Sequence, residues 1–366
     1  MAPRMPVAQG QKKDVQGSCT PARSVAFDVL LRVEKGAWAS DLLRSASEKL
    51  DARDAALAHQ IVFGVLRRQL PIDAWIAART NARKLDVEVR IALRMGLFQL
   101  RFLDRVPAYA VVSDSVNLVK RARKTSAAGL VNAVLKNKSP LPESSPADAI
   151  PRWIYSRWVE HFGEEAAQHI AQYSQSEPES AIEPATGRIQ DVGAQWVITL
   201  LELEPGLSFL DTCAAPGNKT AQAIAAGTQV IACDRHLHRL AAMRDLGCSL
   251  VQMDATCPFP FQQRFDRVLV DAPCSGTGTL ARNPEIRYRL KPEDLVDLHA
   301  RQVRILKNAI DCVAPGGILV YSTCSLEREE NEEVVREVLG RIPEETHYRL
   351  PGVQPGDGFY AAVLRF

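Results

Sequence analysis

The apolar positions between Ser24 and about Lys136 recur with the period of a helix. Residues spaced three or four apart form stripes, such as Leu57, Ile61 and Val65, and Ile91, Met95, Phe98 and Phe102. A stripe with this spacing places one face of a helix against a core. Prolines in "QLPIDAW" and "DRVPAYA" fall where such helices break and restart. This part of the chain is therefore predicted to be an all-α domain of five to seven helices.

From about Gln190 the pattern changes to short apolar runs. The runs are "LSFLD", "QVIACD", "CSLVQMD", "FDRVLVD" and "GGILVYS", and helical segments at 219–226, 235–246, 293–313 and 327–339 alternate with them. Strands that alternate with helices predict a mostly parallel sheet covered by helices on both faces. The last two runs, "THYRL" and "GFYAAVLRF", predict an antiparallel hairpin at the sheet edge.

A stretch rich in proline and serine, "NKSPLPESSPADAIP" (residues 137–151), separates the two patterns and is typical of a linker. A short helical piece with Trp153, Trp158 and Phe162 follows it, and "SQSEPESAIEPATG" then has no regular pattern. We therefore predict a helical domain at 20–138, a linker with short helices at 139–189, and an α/β domain at 190–366.

The net charge of +2 hides an asymmetry between the two halves. Residues 1–140 carry 24 Lys and Arg against 12 Asp and Glu, and the rest carry 21 against 31. A basic domain favours contact with a polyanion. The basic residues predicted to be exposed there are Arg67, Arg68, Arg83, Lys84 and the run "KRARK" at 120–124.

Other classes of protein are disfavoured by what the sequence lacks. The start, "MAPRMPVAQGQKKDVQG", has no apolar core of a signal peptide, and no apolar run is long enough to span a membrane, which predicts a cytoplasmic protein. The eight cysteines include no C-x2-C pair, and the histidines no H-x3-H pair, so neither a zinc site nor a disulfide framework is expected.

Four of the predicted strands end in aspartate, namely at Asp211, Asp234, Asp254 and Asp271. Ligands of an open parallel sheet bind at the carboxyl ends of its strands. After Asp211, small residues and Gly217 in "TCAAPGNKT" let the backbone approach a ligand closely. Since there is no G-x-G-x-x-G and no Walker lysine, the pattern favours an adenosine without a polyphosphate, as in S-adenosylmethionine. Asp234 would then meet the ribose hydroxyls and Asp254 the adenine.

Two of these apolar runs also lead into cysteines, Cys274 in "VLVDAPCSGTG" and Cys324 in "LVYSTCSLEREENEE". A single free cysteine is usually a small core residue, and this suits Cys233, Cys248 and Cys312. A pair of cysteines at matching strand ends, in a sheet with four strand-end aspartates, indicates a reactive site instead.

The motifs "DTCAAPGNKT", "ACDRHLHRL", "VDAPCSGTGTLARNPEIR" and "YSTCSLEREENEEVV" resemble, in this order, those of RNA cytosine-5 methyltransferases. The helical part, from "AFDVLLRVEKGAWASDLL" through "GLVNAVLKN", resembles a NusB-type RNA-binding domain. The combination resembles the ribosomal RNA small subunit methyltransferase B group (Sun/Fmu) over most of the chain. The sequence departs from that group in two places. Asn218, a residue type that tolerates left-handed backbone, stands where the group has glycine, and residues 174–189 replace an additional α/β segment.

The resemblance implies a Rossmann-like class I fold that uses S-adenosylmethionine, and a monomer that acts on small-subunit ribosomal RNA rather than on the assembled subunit. It implies that Cys324 is the nucleophile, that Cys274 assists release of the methylated base, and that Asp271 donates a proton to N3. It places Lys219 near the methionine carboxylate and "RNPEIR" (Arg282 to Arg287) along the RNA. The implied cofactor residues are Cys213, Ala214, Ala215, Pro216, Gly217, Asn218, Lys219, Asp234, Asp254 and Asp271.

Three alternatives remain open on the sequence. The shortened segment fits a NusB-like RNA-binding or assembly factor whose methyltransferase domain is inactive. A transfer RNA is a second possible substrate, and an NAD-dependent enzyme on a similar sheet is disfavoured by the missing G-x-G-x-x-G. The environment of Cys324 is open as well. The start of the next helix would favour a thiolate, whereas Glu327, Glu329 and Glu330 would oppose it if they lie near.

Overall fold

The computed structural model describes residues 19–140, 142–179 and 181–366. The chain start, with its basic residues, lies outside these ranges, as do Leu141 and Ser180 of the predicted linker. The chain divides into two compact units, and the boundary along the chain lies between Glu143 and Ser144. No helix in the described ranges has the length and apolar character that a membrane crossing requires.

The first unit is all-α, as predicted. Its described part contains seven α-helices: α1 (Pro21–Val33), α2 (Ala39–Ser47), α3 (Ala52–Arg67), α4 (Gln69–Thr80), α5 (Val87–Phe102), α6 (Ala108–Arg121) and α7 (Ala128–Lys136). Asp51 caps α3 by accepting a hydrogen bond from Asp54 N at 2.8 Å, and α4 ends at Asn81 in the left-handed conformation. Ile61, Val65 and Met95 of the two stripes are fully buried and belong to the core of the unit, whereas Phe102 at the end of the second stripe is exposed.

The predicted basic surface of this unit is only partly correct. Arg83, Lys84 and Lys120 are exposed. Arg67 is buried, and its guanidinium lies 5.5 Å from the centre of the Phe63 ring, so the prediction that it is exposed was wrong. Its position on α3 explains the burial, since it lies one turn after the buried Phe63, and residues four apart share a face of the helix.

The second unit is built on a seven-stranded sheet with the strand order β3-β2-β1-β4-β5-β7-β6. The strands are β1 (Ser208–Asp211), β2 (Gln229–Asp234), β3 (Ser249–Gln252), β4 (Phe265–Asp271), β5 (Val313–Thr323), β6 (Thr346–Arg349) and β7 (Phe359–Arg365). The first five are parallel, and β7 runs antiparallel to both β5 and β6. The Rossmann-like fold and the antiparallel hairpin at the sheet edge are therefore confirmed, and β6 is the edge strand.

One strand end differs from the prediction. β3 ends at Gln252, so Asp254 lies in the loop that follows the strand and is not its last residue. The other three aspartates, Asp211, Asp234 and Asp271, are the last residues of β1, β2 and β4.

The helices of the second unit are α8 (Arg152–Phe162), α9 (Glu164–Tyr173), α10 (Val192–Thr199), α11 (Asn218–Ala225), α12 (Leu237–Ala241), α13 (Ile286–Arg289), α14 (Pro292–Ile310) and α15 (Glu332–Leu339). Alternate strand residues face opposite layers, because side chains alternate along a strand. Leu319 joins a core cluster that contains Leu306 of α14 and Val335 of α15, while Val320 joins one that contains Val197 of α10 and Ala223 of α11. Both faces of the sheet are thus covered, as predicted.

The helices of the predicted linker pack into the second unit. Trp158 of α8 is fully buried in a cluster with Ile170 of α9, Leu280 and Leu326. Leu280 and Leu326 lie in the loops that follow Cys274 and Cys324. These helices therefore support the loops that carry the two cysteines.

Candidate active site

Cys274 and Cys324 lie together at the carboxyl ends of the neighbouring parallel strands β4 and β5. Asp271, the last residue of β4, is in register with Ser322 of β5. Each cysteine follows its strand end within three residues, and the two sulfur atoms are 3.3 Å apart. This is hydrogen-bonding distance for a thiol and a thiolate. The sheet thus brings together the two cysteines that the sequence singled out.

The loops after the two cysteines are joined through backbone. Gly278 N donates to Cys324 O at 2.9 Å, and Gly358 N donates to Gly278 O at 2.8 Å. A Cβ on Gly278 would lie 2.5 Å from Gly358 O and 2.9 Å from Cys324 O, so only glycine fits there. The loop before β7 is therefore fixed to the backbone of Cys324 itself.

Glu330 ties the two cysteine loops together. Its buried carboxylate accepts hydrogen bonds from Ser275 N at 2.8 Å, Ser325 Oγ at 2.5 Å and Gln302 Nε2 at 3.0 Å, and also from Ser275 Oγ. Ser275 directly follows Cys274, and Ser325 directly follows Cys324. One side chain thus holds the residue after each thiol.

The three glutamates after Cys324 divide into two groups. Glu330 lies against both cysteine loops and adds to the hydrogen bond of Cys324 and to burial in raising the pKa of Cys274, whereas the other two pair elsewhere. Glu327 and Glu329 both accept from the Arg157 guanidinium, with Glu327 Oε2 at 2.6 Å from Arg157 Nε. Their charges are therefore balanced by Arg157. The next regular helix, α15, begins only at Glu332, so its N-terminus does not directly follow Cys324.

The thiol of Cys274 is held in its protonated form. Its pKa is raised well above the ordinary value, first by the hydrogen bond with Cys324 and then by burial and by nearby negative charge, that of Glu330 included. Cys213, a third cysteine near the site, has a pKa raised to about 12 by burial. Cys213 is thus a neutral thiol at neutral pH and not a nucleophile.

Asp271 is paired with Lys219. Lys219 Nζ donates to Asp271 Oδ2 at 2.6 Å, and Ser322 Oγ donates to Asp271 Oδ1 at 3.0 Å. Burial opposes the positive charge of Lys219, but the attraction of Asp271 and the hydrogen bond to it outweigh burial and raise the pKa of Lys219. The charge of Lys219 also interacts favourably with negative charge on Cys324.

A cavity of about 330 Å³ opens beside these groups. Of the residues predicted to bind the cofactor or to react, it is lined by Cys213, Ala214, Ala215, Pro216, Asn218, Lys219, Asp271 and Cys324. Gly217 does not line it. Gly217 has φ +97°, and a Cβ there would lie 2.9 Å from Leu246 Cδ1, so this glycine serves packing inside the protein rather than close approach of a ligand.

Cys274, Asp234 and Asp254 do not line this cavity. Asp234 is buried and accepts from His236 N at 2.8 Å, with the Arg239 guanidinium 3.5 Å away. Asp254 accepts from the side chain and the backbone N–H of Thr256, which lower its pKa.

Comparison with known proteins assigns the chain to a family. Residues 20–139 match the NusB family, and residues 198–353 match the family described as 16S rRNA methyltransferase RsmB/F. Ribosomal RNA small subunit methyltransferase B of Thermus thermophilus is 34% identical, in an alignment that covers 94% of this chain and 97% of the relative. The chain belongs to the RsmB/F family. The protein of that name from Vibrio cholerae is 31% identical over 93% of this chain and 96% of the relative.

The relatives align over more positions than this chain has, and a solved structure shares its fold. The alignments to these two RsmB relatives extend over 393 and 421 positions, more than the 366 residues of the chain, so the relatives contain residues without a counterpart here. The crystal structure of PH0851 is similar in fold, with a TM-score of 0.76 at 20% identity, and the match covers 95% of this chain and 99% of that one.

The RsmB/F cavity also contains acidic residues that the sequence did not single out as site residues. Asp191 and Asp357 line it together with Gln190, Asp211 and Phe359. The pKa of Asp211 is raised to about 7, chiefly by burial, and that of Asp357 to about 6, by burial and then by Asp191. The signal that could have found the two new aspartates is their setting in "IQDVGAQ" and "PGDGFY", where an acid stands beside small residues just before α10 and β7.

The predicted RNA-lining run "RNPEIR" is divided in the structure. Arg282 lines the cavity and pairs with Asp357 at 2.8 Å and with Asp191 at 3.1 Å. Arg287 is buried and donates to the carbonyl oxygens of Ala149, Ser174 and Leu280 at 2.9 to 3.1 Å. The prediction that this run lines the RNA was therefore wrong for Arg287, which holds α8, α9 and the Cys274 loop together.

Proposed function

We propose that this RsmB/F family member transfers a methyl group from S-adenosylmethionine to C5 of a cytosine in 16S ribosomal RNA, through a covalent bond between Cys324 and C6 of the base. The observation that carries the proposal is the 3.3 Å separation of Cys274 Sγ and Cys324 Sγ beside the Lys219–Asp271 pair. The substrate class is supported by the RsmB relatives from Thermus thermophilus and Vibrio cholerae, which are named for the small-subunit ribosomal RNA.

The contacts of Cys324 support its role as the nucleophile. C5 of cytosine is a weak nucleophile, so addition of a thiolate to C6 is needed to activate it. Cys274, with its raised pKa, keeps its proton and donates its S–H to Cys324. The positive charge of Lys219 stabilises negative charge on Cys324 as well. A hydrogen-bond partner and a cation thus both lie near the sulfur that is proposed to attack C6.

The reaction then proceeds by addition to C6, methylation of C5 and elimination of the thiolate. Cys324 Sγ forms a bond to C6, and the electron pair of the C5–C6 double bond moves to C5. A proton held between Asp271 and N3 draws electron density from C6 and assists this addition. After C5 has received the methyl group, a base removes the C5 proton, the double bond re-forms, and the bond between Sγ and C6 breaks. Cys274 assists this last step by donating its S–H to the departing thiolate.

The residues of the cavity fit S-adenosylmethionine. Asp211 Oδ1 and Gln190 Oε1 are buried acceptors without a hydrogen-bond partner in the described residues, which suits a ligand with an ammonium group. Lys219 would meet the methionine carboxylate, Asp234 the ribose hydroxyls and Asp254 the adenine, with the loop from Cys213 to Asn218 alongside. When bound, the cofactor supplies an electrophilic methyl group on its sulfonium.

The activity is tested by isotope transfer from labelled S-adenosylmethionine to RNA. Three substrates are compared: naked 16S ribosomal RNA from a strain that lacks the protein, the assembled small subunit from the same strain, and transfer RNA. We expect label in the naked 16S RNA, at a single position that mapping of 5-methylcytosine identifies. Label in transfer RNA alone would replace the proposed substrate, and label in none would favour the inactive assembly factor.

The covalent step is tested by trapping. Cys324→Ala should neither methylate RNA nor form an adduct, because no thiolate reaches C6. Cys274→Ala should accumulate a protein–RNA species that survives denaturing electrophoresis, and the double variant should lose it. Cys257→Ala, at an exposed cysteine, is the matched control and should behave as the parent protein. A trap in Cys324→Ala alone would reverse the two roles, and methylation by both single variants without a trap would exclude the covalent mechanism.

A further inference from the structure

Asp357 presents an acceptor that the protein leaves unused. Its side chain is 3% exposed and lines the cavity beside Cys324. Asp357 Oδ2 accepts from Arg282 Nε at 2.8 Å, whereas Asp357 Oδ1 is buried and has no hydrogen-bond partner among the described residues. A buried carboxylate oxygen without a donor is destabilising, so its position indicates a donor that arrives with a ligand.

The backbone places this acceptor on the side of the nucleophile. Asp357 precedes Gly358, whose N–H donates to Gly278 O, and Gly278 N in turn donates to Cys324 O. Asp357 N also donates to Asp191 Oδ1 at 3.0 Å. The turn that carries Asp357 is thus joined through Gly278 to Cys324 and directly to Asp191 at the start of α10. Arg282 holds the Asp357 side chain through Oδ2.

The other carboxylates near the thiols already have their donors. Both oxygens of Asp271 are taken, by Lys219 and Ser322. Both oxygens of Asp191 are taken, one by Gly193 N and Asp357 N and the other by Arg282. Asp211 has a free oxygen, but it ends β1 next to the loop that we assign to the cofactor. With Asp271 assigned to N3 of the base, Asp357 Oδ1 is the acceptor that remains for an N–H donor of the base.

We propose that Asp357 Oδ1 accepts a hydrogen bond from the 4-amino group of the target cytosine and thereby selects cytosine over uracil. This assignment rests on the proposed function. Uracil carries a carbonyl oxygen in place of the amino group, and two facing acceptors repel each other. A site built to receive an N–H rejects an analogue without it, because its buried acceptor then stays unpaired. Arg282 holds Asp357 in place and balances part of its charge.

The test uses the full chain and 16S ribosomal RNA rebuilt by ligation around the mapped target. The target base is cytosine, 2-pyrimidinone, which has hydrogen in place of the amino group, or uracil. For Asp357→Ala we expect kcat/KM to fall about 10- to 100-fold on the cytosine RNA and less than about threefold on the 2-pyrimidinone RNA. The intrinsic reactivity of each ring cancels, because each comparison is between two proteins on the same RNA.

Two variants separate recognition from support of the fold. Asp357→Asn keeps the shape of the side chain and can turn an N–H towards the base, so its preference for cytosine over uracil should fall by at least about tenfold. Asp191→Asn, whose oxygens already have donors, should change kcat/KM on the cytosine and 2-pyrimidinone RNAs by the same factor. Equal losses on these two RNAs for Asp357→Ala would overturn the assignment. A parent protein that does not methylate the cytosine RNA would overturn the proposed function, and the assignment with it.

Discussion

Removing Glu330 should loosen the link between the two cysteine loops. The carboxylate is fully buried and accepts from Ser275 N, Ser275 Oγ, Ser325 Oγ and Gln302 Nε2. In Glu330→Ala all four hydrogen bonds are lost. In Glu330→Gln the amide oxygen can keep the two N–H donors on the Oε1 side, while the amide N–H donates to the two serine hydroxyls.

The structure sets the size of the effect. Without Glu330, the hydroxyls of Ser275 and Ser325 can still hydrogen-bond to each other at 3.1 Å, and Gln302 Nε2 can still donate to Pro273 O at 2.9 Å. The main loss in Glu330→Ala is the stranded Ser275 N–H, about 1–3 kcal/mol, together with the void left by the side chain. Relief of the desolvation of a buried carboxylate offsets part of this. We expect a net loss in the free energy of unfolding of about 2–4 kcal/mol for Glu330→Ala and about 1 kcal/mol for Glu330→Gln.

The catalytic effect should follow the same order. A displacement of about 1 Å at a reacting group can cost about 100-fold in rate, so Glu330→Ala should lower the rate of methyl transfer by at least about tenfold under conditions where it is folded. Urea unfolding followed by circular dichroism measures the stability, and isotope transfer to 16S RNA measures the rate. Glu344→Ala, at an exposed acid, is the control. An unchanged unfolding midpoint and an unchanged rate in Glu330→Ala would refute the reasoning. Equal losses of stability and rate in Glu330→Ala and Glu330→Gln would assign the effect to the charge of Glu330 rather than to hydrogen-bond geometry.

The remaining predictions concern binding and pH. Asp234→Ala should weaken S-adenosylmethionine binding by about 1–3 kcal/mol in calorimetry, and unchanged affinity would remove it from the site. Replacing Arg83, Lys84 and Lys120 together by alanine should make the salt dependence of RNA binding shallower, by up to about three in the slope of log K against log salt; an unchanged slope would place the RNA elsewhere. The pKa of Glu332 is lowered to about 2, since hydrogen bonds from His161 and Tyr348 outweigh burial. Its stabilisation, about 2 kcal/mol, is therefore present above pH 4.5 and lost as the pH falls through 2, so wild type and Glu332→Gln should converge there in acid unfolding. Asn218→Gly should weaken cofactor binding a few-fold in calorimetry, because the hydrogen bonds to Arg188 and Ile189 at the cavity edge are lost. Tighter binding would contradict this.

The sequence predicted the features that depend on local pattern. The helical stripes, the alternation of strands and helices, and the two cysteines at neighbouring strand ends follow from residue periodicity and from the rule that parallel strands end at one edge. Asp254 shows where this reasoning ends. Its run is apolar up to Met253, yet pairing with β2 stops at Gln252, and the sequence does not reveal where a neighbouring strand ceases to pair.

The errors arise where a residue's partners are distant in sequence. Arg287 looks like an RNA contact by composition, but it meets the carbonyl of Ala149, 138 residues away. Asp191 and Asp357 are 166 residues apart and become a pair only because α10 packs near the start of β7. Periodicity describes neighbours along the chain, so it finds neither the buried arginine nor the acidic pair.

The two positions at which the resemblance implied a departure from the family, Asn218 and the segment at 174–189, are in contact with each other. Asn218 Oδ1 accepts from Arg188 Nε at 2.9 Å, and Asn218 Nδ2 donates to Ile189 O at 3.3 Å. Arg188 and Ile189 belong to the shortened segment, which closes on itself through an antiparallel bridge between Ile182 and Ile189. Asn218 is the first residue of α11 and Gly217 takes the left-handed conformation, so tolerance of that backbone is not what asparagine contributes here.

A glycine at position 218 would have no side chain with which to hold this segment. Ile189 and Gln190 line the cavity next to Asn218, so the asparagine fixes one wall of the proposed cofactor site to the start of α11. We infer that the Asn218 side chain anchors Arg188 and Ile189 at the edge of the cavity. A cavity edge held by these hydrogen bonds favours a methyltransferase over an assembly factor with an inactive methyltransferase domain. A chain that no longer used the cavity would have no reason to keep its edge hydrogen-bonded to the loop beside Lys219 and Asp271.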